Sequence, residues 1–155
     1  MKLRNYRITK YNPIYRTSEG YTKDEWTSCS DVGKIYDGKI FTQAEYNLVE
    51  MYYLNVVKAI FEETEQQNVR IEKLENYKGL QWVNRQKLNL QEVEQFCRDC
   101  LQEKCWGKVE GENFFIHFGY DYYMYIGTTM QQLRVKEIVE ANHLFCEDCP
   151  SPHND

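Results

Sequence analysis

The chain has 155 residues and a formal net charge of -5, a length that suits one domain able to bury a core without a disulfide or metal staple. Its negative balance disfavours contact with nucleic-acid phosphates and favours basic surfaces. No window approaches the roughly 18 uninterrupted apolar residues of a membrane span, so no membrane association is expected. Six cysteines, Cys29, Cys97, Cys100, Cys105, Cys146 and Cys149, would suit disulfides in a secreted protein. The opening Met1-Lys2-Leu3-Arg4-Asn5-Tyr6 lacks the apolar run of a secretory signal, so a cytoplasmic protein with free thiols is expected.

The first predicted strand is Tyr6–Thr9, ending near Asn12-Pro13 because proline removes a ladder donor. Asp37-Gly38 between Lys34-Ile35-Tyr36 and Lys39-Ile40-Phe41 has the chemistry of a two-residue hairpin, since glycine accepts the positive φ such a turn needs. Thr42 reads as an N-cap with Glu45 three residues on, opening a long helix from Ala44 to about Glu65. Leu48, Val49, Tyr52, Val56, Ala59 and Ile60 recur in it at helical spacing.

A short strand at Val69–Glu72 and a polar loop through Tyr77, Gly79 and Trp82 follow. Asn89, with Glu92 at the third position, caps a second helix whose stripe is Leu90, Val93, Phe96, Cys97, Cys100 and Leu101. Trp106–Val109, Phe114–Phe118 and Tyr122–Ile126 form an antiparallel meander, with turns at Gly111-Glu112-Asn113 and Gly119-Tyr120-Asp121. Thr129 with Gln132 begins a third helix that stops at Asn142, and Leu144–Cys149 is a last strand. The expectation is a single α+β domain over 1–155, an antiparallel sheet with three helices. From Val69 to Cys149 its element order resembles a ferredoxin-like βαββαβ unit, preceded by a hairpin and a long helix.

Two C-x-x-C pairs, Cys97/Cys100 and Cys146/Cys149, could together supply four thiolates to zinc. Against this, Cys97 and Cys100 lie on an apolar helical stripe, where cysteine serves as a small apolar residue. Metal-free protein is therefore the expectation, with zinc as the alternative. Thiol redox chemistry is disfavoured because neither pair opens a helix. His117 alternates with Phe115 opposite Phe114, Ile116 and Phe118, and Tyr123 and Tyr125 can share its face. A histidine among tyrosines can support acid–base chemistry, yet no Ser or Cys nucleophile is tied to it by spacing. Gly107, Gly111, Gly119 and Gly127 are scattered and make no phosphate loop.

In size, acidic balance, α+β pattern and absence of a catalytic motif, the chain resembles the small cytoplasmic immunity proteins that neutralise bacterial polymorphic or contact-dependent toxins. The resemblance implies a non-enzymatic protein that binds a basic toxin domain tightly and covers its working surface. Trp26, Tyr36, Tyr120, Asp121, Tyr123 and Tyr125 are the candidate contact residues, aromatic anchors being common in such interfaces. The alternatives are a zinc-stabilised interaction domain and a small enzyme centred on His117.

Overall fold

The computed structural model describes residues 3–65 and 68–153. β1 (Arg4–Thr9) is followed by two small hairpins, β2 (Arg16–Thr17) with β3 (Gly20–Tyr21) and β4 (Ile35–Tyr36) with β5 (Lys39–Ile40). Asp37 and Gly38 both take positive φ, 50° and 76°, as the two-residue turn requires. α1 (Gln43–Thr64) starts where the Thr42 hydroxyl accepts from the Glu45 N–H at 3.2 Å. β6 (Val69–Glu75) and the two-residue β7 (Lys87–Leu88) lead to α2 (Leu90–Leu101). The Asn89 cap of α2 is reciprocal: Asn89 Oδ1 accepts from the Glu92 N–H, and Glu92 Oε1 from the Asn89 N–H.

β8 (Trp106–Glu110), β9 (Phe114–Phe118) and β10 (Met124–Thr128) form the meander. β10 starts two residues later than the sequence indicates and continues to Thr128, which pairs with both Arg4 and Phe114. That extension moves the start of α3 (Gln132–Ala141) past the expected Thr129 cap; Gln131 holds the cap position without a side-chain bond. β11 (Phe145–Asp148) completes the chain's strands.

Seven strands form one antiparallel sheet in the order β11-β1-β10-β9-β8-β6-β7. The α+β class and three-helix content are as expected, but the ferredoxin-like arrangement is not. β1 enters between β10 and β11, so the segment from Val69 to Cys149 does not close a sheet by itself. All three helices cover one face. Tyr6, Ile8, Val109, Ile116 and Ile126 from the strands are buried in one core with Val57 and Ile60 of α1, Phe96 of α2 and Val139 of α3. The edge-to-face pair Phe61–Phe114, with ring centroids 5.4 Å apart, ties α1 to β9.

The opposite face carries a polar row, Glu147-Arg7-Tyr125-His117-Lys108-Glu72, read across β11, β1, β10, β9, β8 and β6. Beside it Phe115 lies flat over Gly127, where a Cβ would come within 2.0 Å of the ring, so this cross-strand partner must be glycine. After β11 the chain turns back over this face. The Cys149 N–H donates to the Asn5 carbonyl, Ser151 meets His117, and the His153 ring lies edge-on to Trp106. Among the described residues no helix is long and apolar enough to cross a membrane.

Candidate functional site: a pinned hairpin tip and its pocket

The strands β9 and β10 are joined through a tight β-turn, with the Tyr123 N–H donating to the Tyr120 carbonyl at 3.2 Å. Its two central residues, Asp121 and Tyr122, take φ of 57° and 67°. Aspartate tolerates this region because its short side chain clears the backbone, whereas a tyrosine there stores on the order of 1–3 kcal/mol of strain. Such a conformation persists only where the surroundings impose it.

Here tyrosine hydroxyls do so. Tyr11 donates to the Asp121 carbonyl at 2.7 Å, and Tyr53 donates to the Tyr122 carbonyl at 2.7 Å while accepting from the Lys10 N–H. The Tyr122 hydroxyl donates to the Leu101 carbonyl at 2.7 Å and lies 2.8 Å from the Tyr46 hydroxyl. The Tyr122 ring meets Trp26, Tyr46 and Tyr53 edge-on. Burial raises the hydroxyl pKa of Tyr11, Tyr46, Tyr53 and Tyr122, so these groups stay protonated and able to donate. The result is a rigid tip that presents Tyr120, 89% exposed, and the exposed Asp121.

A cavity of about 340 Å³ opens beside this tip. Leu101, Cys100, Cys105, Phe118 and Tyr122 line it and are buried, so they form its floor. Tyr77, Tyr120, Glu103 and Asp121 line it and are exposed, so they form its rim; Trp106 and Tyr123 lie between. Among the described residues no lysine, arginine or histidine lines it. Burial raises the Cys100 thiol well above its ordinary pKa, and its sulfur lies 3.9 Å from that of Cys105. The Cys100 thiol therefore stays protonated, and both sulfurs serve as buried, apolar wall groups.

Three of the sequence-derived contact residues, Tyr120, Asp121 and Tyr123, therefore meet at one site. The other three do not join them. Trp26 is a core residue, stacked on Phe41 at 4.3 Å between ring centroids. The Lys10 ammonium sits 4.1 Å from the ring centroids of both Trp26 and Tyr11. Tyr36 is half-buried and packs edge-on against Phe41. Tyr125 is buried beneath the C-terminal segment. The zinc alternative is not assembled either. Cys97 and Cys100 are buried on α2, which packs on β7 and β8, whereas Cys146 lies on β11 and Cys149 just beyond it. β8 and β11 are four strand spacings apart, about 19 Å. Among the described residues no group of three or more His, Cys, Asp or Glu is placed to hold a metal ion.

The contact that sequence spacing did not reveal is Ser151, 34 residues from His117. Its Oγ lies 2.7 Å from His117 Nδ1, and His117 Nε2 lies 2.8 Å from Glu110 Oε1. A carboxylate accepts and does not donate, so Nε2 carries a proton directed at Glu110 while Nδ1 faces the Ser151 hydroxyl. That chain joins a hydroxyl, a base and an orienting carboxylate, the connectivity of an activated nucleophile. It is closed, however: His117 is 1% and Ser151 6% exposed. Neither residue lines the cavity. Its evident work is to clasp the C-terminal segment to the sheet. Beside it Glu147 receives Arg7 at 3.1 Å and Arg16 at 2.9 Å. Burial alone would raise the Glu147 carboxyl, but the hydrogen bonds from both arginines outweigh it and hold it below its ordinary range. Compared with family models, with curated proteins and with solved structures, the chain matches none of them.

Proposed function

We propose that this chain is a non-enzymatic binding protein of the toxin-immunity type, which silences a basic partner by covering its working surface. The observation that carries the reading is the strained tip, held by three tyrosine hydroxyls, that presents an exposed tyrosine and aspartate beside an aromatic pocket rimmed by carboxylates. A preorganised aromatic anchor binds without the entropic cost of ordering a loop. The net charge of -5 favours encounter with a basic surface.

The test is affinity and neutralisation together. Proteins retained by the immobilised chain are identified, expressed alone and assayed for growth arrest, with and without this chain coexpressed. The reading expects a basic protein whose toxicity coexpression relieves, and a loss of at least about tenfold in its affinity with Tyr120→Ala. A retained protein that stays toxic under coexpression removes the immunity reading, and unchanged affinity removes this surface.

One observation favours an enzymatic alternative, the Ser151-His117-Glu110 chain. A fluorophosphonate probe separates the two readings: the binding reading expects no adduct on Ser151, and stoichiometric labelling there would displace it.

A further inference from the structure

We infer that the pocket beside the β9–β10 turn receives one large apolar side chain of the partner, set next to a lysine or arginine in the partner's own sequence. This rests on the binding reading above and specifies what is recognised. The argument starts from how burial divides the pocket. Its floor is Leu101, Phe118 and the Tyr122 ring with the buried sulfurs of Cys100 and Cys105. The polar atoms closest to this floor are already engaged, the Tyr122 hydroxyl with the Leu101 carbonyl and the Trp106 indole N–H with the Phe118 carbonyl. A charged head pushed down to it would lose its water and gain no partner, whereas an apolar side chain releases water from both surfaces. The volume, about 340 Å³, is near the lower end of ligand-sized pockets, roughly 300–1,000 Å³. It suits one anchoring side chain better than a dinucleotide-sized cofactor.

The rim asks for the opposite chemistry. Glu103 and Asp121 lie there with the exposed rings of Tyr77 and Tyr120. Among the described residues the Asp121 carboxylate has no ion-pair partner, and Tyr77 donates its hydroxyl to Glu75, a third carboxylate close by. Carboxylates and ring faces together attract a cation that keeps its outer side in water. The recognition element is therefore composite: an apolar anchor inside and a cationic neighbour at the mouth. A purely basic segment would engage the rim and leave the floor wet. An apolar residue flanked by acids would meet like charge at the entrance.

Amide chemical shifts of the full-length, isotope-labelled chain, followed during titration with three capped peptides, test this without the natural partner. The peptides are Lys-Lys-Trp-Lys-Lys, Lys-Lys-Ala-Lys-Lys and Glu-Glu-Trp-Glu-Glu. The first is expected to saturate, with shifts concentrated at Glu103 and Gly119–Tyr123, at least about tenfold more tightly than the other two. Asp121→Asn, chosen because asparagine also tolerates positive φ, is expected to weaken it by about threefold. Equal binding of the alanine peptide overturns the apolar anchor, and equal binding of the glutamate peptide overturns the cationic neighbour. Shifts elsewhere, or none, overturn the pocket. If the peptides fail while Tyr120→Ala still weakens the partner, the binding reading survives and this inference falls; if both fail, neither stands.

Discussion

Tyr122 combines a left-handed backbone with restraint from several hydroxyls. Its left-handed backbone is imposed by a hydroxyl on α1, that of Tyr53, 69 residues away in sequence, and by its own bond to the end of α2. Tyr122→Phe keeps the ring and deletes the hydroxyl, leaving the Leu101 carbonyl one donor short. A loss of about 1–3 kcal/mol in urea unfolding is expected, together with broadened amide signals at Tyr120 and Asp121 as the tip loosens. Gly119-Tyr120-Asp121 could be recognised as a turn because glycine and aspartate carry turn chemistry. The strained residue itself could not, because tyrosine has no preference for that conformation and the bonds that impose it are tertiary. Trp26 and Tyr125 were misplaced for the same reason: an aromatic residue in an irregular or alternating segment does not announce what will cover it.

The elements with strong periodicity or caps, α1, α2 and the first two strands of the meander, are where the sequence places them, and β10 is offset by two residues. β2, β3 and β7 are two residues long, too short to show alternation, and exist through their pairing, β2 with β3 and β7 with β6. The C-terminal segment escaped notice as an element altogether. It has no ladder of its own and is secured by point contacts, chiefly Ser151 with His117 and the Lys108 ammonium with the His153 carbonyl. Ser151→Ala removes the hydroxyl that meets His117 and accepts from the His153 N–H. The expected outcome is a loss of about 1–2 kcal/mol by thermal or urea unfolding. Amide exchange at Cys149, which donates to the Asn5 carbonyl, should also quicken. Unchanged exchange would show that the segment is held without this clasp.

Across the whole molecule, buried titratable groups set the response to alkali. Burial raises the thiols of Cys97, Cys100 and Cys146 above their ordinary 9.0, and the hydroxyls of Tyr11, Tyr46, Tyr53 and Tyr122 above 10.0. A raised group keeps its proton in the fold after the unfolded chain has lost it. Its contribution is therefore full below the unfolded value and is lost above it. Stability should fall as pH passes about 9, first through the thiols and then through the phenols. Lys10 has the opposite sign. Burial pulls its ammonium down to about 8 despite Glu25 nearby, so it adds stability as pH rises from about 8 to 10.5. Urea unfolding at several pH values should show the wild type gaining on Lys10→Met across that window. A constant difference would mean that the ammonium is not held in an unfavourable site.

The position of β1 between β10 and β11 also sets a timetable for synthesis. Arg4–Thr9 leaves the ribosome well before both of its neighbours, Met124–Thr128 and Phe145–Asp148. The meander and the long helix can begin to associate as they emerge, but β10 keeps an open edge until the oldest strand folds back to fill it, and β11 then closes the other side. Until β10 and β11 emerge β1 has no partner, so its alternation of Arg4, Tyr6 and Ile8 with Asn5, Arg7 and Thr9 helps keep a nascent strand in water while it waits.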